Sequence, residues 1–255
     1  MSRMDLLSQL IDILYPPRCH LCGRFLYRTE GTLHPKHLCI ECRAALASVT
    51  HPLCTVCGSP FSTSAGQDHL CENCLRSDPW YDLVRAPYVY SGPLMEAVQR
   101  FKYRSETHLI STLGPLLSSF AGGYISHPHG ILTIPVPLHR RRLRERGFNQ
   151  SLLLARAVSG HLGARLDYLS LARRRYTAPQ TGLSKEKRKR NVKDAFLVVN
   201  AGGVKGEVIL LVDDVFTTGH TLNECARTLK RSGARTVICL TLARVAVDES
   251  LGNRG

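Results

Sequence analysis

The chain has 255 residues, 44% hydrophobic and 21% charged, a composition that builds a packed core and excludes disorder throughout. The length predicts one large domain or two smaller ones, and no window holds the ~18 consecutive apolar residues of a membrane span. The net charge of +14 is concentrated: residues 1–82 carry seven Lys/Arg against eight Asp/Glu, whereas residues 139–193 carry sixteen against three, net +13. That concentration predicts a positive face or loop that attracts phosphates.

The first residues read MSRMDLLSQLIDILYPP. Leu7, Leu10, Ile11 and Leu14 fall at helical spacing and predict a short helix docked on the body, with a membrane-surface or partner helix as the lesser reading. Asp5, Gln9 and Asp12 interrupt the apolar residues and no A-x-A-like site follows, so a signal peptide is not expected.

Eight of the ten cysteines lie in four C-x-x-C pairs: Cys19/Cys22, Cys39/Cys42, Cys54/Cys57 and Cys71/Cys74. The segment repeats itself: Cys19-His-Leu-Cys22-Gly23 matches Cys54-Thr-Val-Cys57-Gly58, and Leu38-Cys39-Ile-Glu-Cys42 matches Leu70-Cys71-Glu-Asn-Cys74. A C-x-x-C turn aims two thiolates at one ion, and two such turns complete a tetrahedral four-sulfur shell for Zn²⁺. Such a staple suits a segment too poor in large apolar residues to bury a core of its own. Two structural zinc ions, one per repeat, are expected, with a cross-braced arrangement of the same ligands left open. A disulfide framework fits less well, because there is no secretion signal and Cys225 and Cys239 lie in core-like segments. An iron–sulfur cluster and a single redox pair are poorer fits to four pairs at this spacing. With eight thiolates filling two shells, His20, His34, His37, His51 and His69 are read as surface residues.

Residues 81–255 are expected to form an α/β domain, and 1–80 the N-terminal helix and double zinc ribbon. Strands are predicted at 83–90, 131–136, 196–199, 208–212 and 236–242, and helices at 93–104, 109–120, 149–162 and 221–231. Thr221-x-x-Glu224 reads as a capping box opening the last helix. The basic stretch 173–193 reads as a long mobile loop. Strands alternating with helices imply a mostly parallel sheet.

The segment from Val208 to Thr221 carries the chemistry. An apolar strand ends in Asp213 and Asp214, then comes Thr217-Thr218-Gly219-His220-Thr221, then a helix. Open α/β sheets bind ligands at the carboxyl ends of their strands. A Thr/Gly loop opening a helix cradles a phosphate through hydroxyls, close backbone approach and the helix N-terminus. Two adjacent acids suit the vicinal hydroxyls of a ribose, so acids and cradle together spell a ribose 5-phosphate site. A receiver-type phosphorylatable aspartate is the alternative, against which the Thr-Thr-Gly-x-Thr loop argues.

This segment resembles the phosphoribosyl-pyrophosphate (PRPP) motif of type I phosphoribosyltransferases, and the whole chain resembles the ComF family of competence proteins, which joins a double zinc ribbon to a type I phosphoribosyltransferase-like domain with a parallel sheet. The resemblance runs through Tyr90-Ser-Gly-Pro-Leu, Phe101-Lys-Tyr-Arg104, Pro135-Val-Pro-Leu-His139, Arg146-Gly-Phe-Asn-Gln150, Gln180-Thr-Gly-Leu-Ser184 and Arg188-x-x-Asn191 to the acid pair. It implies that Asp213 and Asp214 hold the ribose hydroxyls, that Thr217, Thr218, Gly219, His220 and Thr221 form the 5-phosphate loop, and that Pro135, Val136, Pro137 and Leu138 form a pyrophosphate loop in which a strained peptide turns an N–H to the ligand. It also implies a flexible lid over 180–191 with Arg188 on the pyrophosphate, and Mg²⁺ bound with PRPP.

Two functions stay open. The resemblance implies DNA uptake in natural transformation, or use of external DNA, by a cytoplasmic protein, at the inner face of the membrane in one version, with single-stranded DNA on the basic stretch. Arg140, Arg141, Arg142, Arg144, Arg146, Lys187 and Arg190 are the candidate contacts, and Arg140 to Arg142 are expected to lie outside the PRPP cradle. The ribbons are expected to add strand contacts or to dock a helicase-like partner, their near-neutral charge favouring the partner. The other function is transfer of phosphoribose to a small acceptor. Ammonia transfer from glutamine is not expected, since the chain opens Met1-Ser2-Arg3 and its first cysteines are assigned to metal. The twelve residues after Ala243 are too few for a substrate hood, which is therefore expected from residues 83–123.

Overall fold

The computed structural model describes residues 14–26, 37–63, 65–125, 130–176 and 192–246. The expected helix of the first residues and the lid at 180–191, with Lys187, Arg188 and Arg190, lie outside them, as does His34.

The centre is a six-stranded sheet in which every pairing is parallel, as the alternation of elements predicts. Its strands are β1 (Leu83–Arg85), β2 (Tyr88–Val89), β3 (Ile131–Pro135), β4 (Arg165–Leu166), β7 (Val208–Phe216) and β8 (Thr236–Arg244). The order is β1-β8-β7-β3-β4, with β2 also on β8. The single strand expected over 83–90 is two short ones, because Pro87 has no N–H to give the ladder; its carbonyl instead accepts Val49 N. A two-stranded antiparallel ribbon, β5 (Leu171–Arg173) with β6 (Phe196–Val198), brackets the basic stretch, so Arg173 is strand rather than loop.

The apolar run of β7 serves two cores, as a strand buried on both faces must. Leu210 and Val212 pack on one face with helices α3 (Gly92–Tyr103), α4 (Ile110–Tyr124) and α6 (Gln150–Leu162). Ile209 and Leu211 pack on the other with α7 (His220–Arg231) and the β5–β6 ribbon. A further helix, α5 (Arg140–Arg146), was hidden in the sequence by its RRRLRER composition; it buries none of its residues and follows β3 directly.

The cysteine repeat is a structural repeat. In each copy the glycine after the first pair has positive φ, Gly23 at 78° and Gly58 at 68°, and donates its N–H to the carbonyl of Cys19 or Cys54. In each copy the second pair opens a short helix, α1 (Ile40–Ala44) behind Cys39 and α2 (Glu72–Ser77) behind Cys71. The copies sit on opposite faces of the sheet: Cys19, Cys39 and Cys42 belong to the core of α3, α4 and α6, and Cys54, Cys57 and Cys74 to that of α7.

Candidate functional site

The thiols sort into Cys19/Cys22/Cys39/Cys42 and Cys54/Cys57/Cys71/Cys74, the ligand atoms of each group all within 4.8 Å of one another. The groups are sequential, so the cross-braced alternative does not hold. Tetrahedral Zn–S bonds of roughly 2.3 Å require S···S edges of about 3.8 Å. Cys22 to Cys39 and Cys57 to Cys71 both measure 3.7 Å. Burial raises the Cys54 thiol, yet backbone N–H groups from Cys71, Cys57 and Val56 bring it down to about 6, and the same contest brings Cys19 down to about 7. Burial leads in pushing Cys39 and Cys57 up to about 11, and the neighbouring Cys54 and Cys71 push Cys57 the same way. The residues fit zinc, which would supply a closed four-sulfur crosslink with no open position for water.

The histidines divide. His51 and His69 are exposed as expected. His20 is half-buried rather than freely exposed: it stacks on His37 at 4.3 Å, contacts Thr112 Oγ1 of α4 at 2.9 Å, and is lowered to about 4 by burial and by His37. The first repeat needs such anchors, because it has little core of its own; Arg100 of α3 adds two, donating to the carbonyls of Leu21 and His20.

A cavity of about 380 Å³ opens at the carboxyl ends of β3 and β7. Asp213, Asp214, Thr217, Gly219 and Thr221 line it, with Val136 and Leu138 from the turn after β3. Thr218 and His220 of the loop, and Pro135 and Pro137 of the turn, are not in its lining. The strand does not end at the acids as expected. β7 continues through them to Phe216, and Asp214 is only 3% exposed. Lys102 of α3 meets it at 2.7 Å. Burial lowers the Lys102 ammonium, but the facing carboxylate outweighs that and holds it above its usual value. Asp213 accepts from Ser151 Oγ at 2.7 Å and from Asp214 N at 2.9 Å. Burial, then the neighbouring Asp214, pushes the Asp213 carboxyl up to about 7.

The loop after β7 is built on glycine. Gly219 is the N-cap of α7 at φ 74°, so the expected capping box does not form. Glu224 is drawn away to Arg227 and to Asp194 N. Asp214 Oδ2, on the cavity, is buried without a hydrogen-bond partner, which is what a site built for a polar ligand leaves behind; Thr218 Oγ1 is unpartnered too, but away from the lining. In the turn after β3, the Val136 N–H goes to Val212 O and the two prolines have none, leaving the Leu138 amide; no residue there has positive φ.

The cationic wall was missed as such. Lys102, Arg142, Arg146 and Arg173 all line the cavity. The expectation that Arg140 to Arg142 stand clear is therefore wrong for Arg142. One turn of α5 turns Arg142 and Arg146 inward while Arg140, Arg141 and Arg144 stay exposed. Tyr90, Gln99 and Tyr103 complete the wall. The only available signal was the blocks Tyr90-Ser-Gly-Pro-Leu, Phe101-Lys-Tyr-Arg104 and Arg146-Gly-Phe-Asn-Gln150, whose spatial meeting no spacing rule reveals. From 83–123, where the hood is expected, Tyr90 and the α3 residues Gln99, Lys102 and Tyr103 line the cavity.

A parallel α/β sheet with this loop, behind two four-thiol knuckles, defines a phosphoribosyltransferase-type domain carrying a double zinc ribbon. Residues 10–75 match the double zinc ribbon domain and residues 149–251 the phosphoribosyl transferase domain. The chain is 34% identical over 223 residues to Competence protein F of Haemophilus influenzae, covering 84% of this chain and 94% of that one. It is 37% identical over 238 residues to DNA utilization protein YhgH of Escherichia coli, covering 89% and 98%, and 30% identical over 217 residues to Competence protein ComFC of Bacillus subtilis, covering 81% and 84%. The chain belongs to the ComF family.

Proposed function

We propose that the cavity binds PRPP and that the protein serves DNA uptake or utilisation by handling single-stranded DNA. The observation that carries the first half is one cavity holding the Asp213–Asp214 pair, the Gly219-based loop and four cationic side chains. In this reading Thr217 to Thr221 take the 5-phosphate, the acids take the ribose hydroxyls, and the Leu138 amide and the cations take the diphosphate, with Val136 shaping the turn and Arg188 added from 180–191. Thr218 and His220 contribute backbone to the loop, as Pro135 and Pro137 do to the turn. Mg²⁺ bound with the diphosphate would offset its charge. The chain divides near residue 80 into ribbons and phosphoribosyl domain. The names of the relatives support the second half. No helix among the described residues is long and apolar enough to cross a membrane; we read the protein as cytoplasmic, where thiols stay reduced, and working at the inner membrane face with a helicase-like partner on the ribbons.

Calorimetry with PRPP and Mg²⁺ tests the first half: the native chain binds, and Asp213→Asn with Asp214→Asn does not. Unchanged affinity in the double variant refutes the assignment. A salt-dependent strand titration tests the second. Absent strand binding together with pyrophosphate release on a small acceptor would make the protein an enzyme instead.

A further inference from the structure

We propose that Arg244 is a positioning residue that wires the second thiol cluster to the loop 217–221, so that ligand affinity at the cavity depends on the integrity of that cluster. The inference rests on the phosphate reading of the loop but is carried by separate geometry. Arg244 ends β8, is 2% exposed, and is in register with Phe216 at the end of β7. Its Nη1 donates to the carbonyl of Cys57 at 2.8 Å, across 187 residues of chain. Its guanidinium lies 5.1 Å from the centre of the Phe216 ring. That ring packs on the loop's glycine, where a Cβ on Gly219 would stand 2.8 Å from Phe216 Cζ and 3.4 Å from Tyr81 Oη. Tyr81 also packs against Phe216, edge-on, with ring centres 6.5 Å apart.

The repeat itself is stitched to the same edge. Val84 N donates to Val56 O, and a Cβ on Gly58 would stand 2.6 Å from Val84 O. So the chain of contacts runs from Cys57 through Arg244 and Phe216 to Gly219. Close-packed groups of this kind shift together, because no link can move without opening a void or leaving a buried donor unpaired. The first repeat has the same kind of clamp, Arg100 on the carbonyls of Leu21 and His20, but that clamp leads to α3 and not to the loop.

Three measurements test this, on Arg244→Met with Arg100→Met as control. Hydrogen exchange of the amides of 217–221 is expected to quicken about tenfold in Arg244→Met, the loss of one charged hydrogen bond, and to stay within about twofold in Arg100→Met. Ribose 5-phosphate is expected to bind about tenfold more weakly to Arg244→Met, while inorganic pyrophosphate, held by the turn and the cations, binds as before. A general loss of structure would weaken both. In the unmodified protein, stepwise zinc chelation must loosen 54–58 and 217–221 together. Native exchange of 217–221 in folded Arg244→Met, or a loop still protected after 54–58 has opened, overturns the proposal. Should the native chain bind neither phosphate probe, the phosphate reading fails by itself and the exchange arms still decide the wiring.

Discussion

Lys102 and Asp214 hold each other's charge inside the protein, with side chains 18% and 4% exposed. Replacing Asp214 with Ala strands a buried ammonium, so it costs stability as well as ligand. A loss of roughly 3 kcal/mol is expected in denaturant unfolding, most of it recovered in Lys102→Met with Asp214→Leu. Recovery in that pair would show the penalty to be the unpaired charge. Asp213 behaves differently. Its folded value, about 7, lies above that of an unfolded carboxyl, so between about pH 4 and 7 the folded state binds the extra proton. Stability from this group is full below about pH 4 and falls as pH rises to 7. Thermal melts of ligand-free protein should show Asp213→Asn little changed relative to native at about pH 4 and more stable than native at pH 7.5. An equal offset at both values would place the proton elsewhere.

At the scale of elements, α5 splits one basic helix between two tasks. Arg142 and Arg146 face the cavity, whereas Arg140 and Arg144 face solvent. Neutralising Arg140 and Arg144 to Gln should flatten the salt dependence of strand binding by about 1.4 units, at ~0.7 per phosphate, and leave PRPP affinity unchanged. Neutralising Arg142 should weaken PRPP, and calorimetry on the two sets separates the roles. The sequence showed the charge but not this division, because helical phase cannot be read where nearly every residue is charged. β7 was legible, since five apolar residues in a row admit few alternatives, but its extension through Asp213 and Asp214 was not, because burial of acids depends on partners 62 and 112 residues away in Ser151 and Lys102. The capping box failed for a related reason: Glu224 has a stronger partner in Arg227, and Gly219 can take the cap at positive φ without a side chain. The eight thiols were readable in full because their chemistry is local, two turns and two helix starts.

In the whole molecule the two ribbons do not stand apart from the sheet. One contributes Cys19, Leu21, Leu38 and Cys42 to the core over α3, α4 and α6; the other contributes Cys54, Cys57, Cys74 and, just after it, Tyr81 to the core over α7. Clamps reach them from both sides, Arg100 on the first and Arg244 on the second. Zinc affinity is therefore folding energy for the sheet as well as for the repeats. Metal analysis of reduced protein should give about two zinc per chain, since eight thiols make two four-ligand shells. In urea, zinc release and loss of helical signal should coincide in one transition, because each ribbon shares a core with the helices on its face of the sheet. Replacing Cys39 or Cys71 with Ser should lower the midpoint of that single transition. A separate early zinc-release step, with the helical signal intact, would instead show ribbons that fold on their own and merely rest on the sheet.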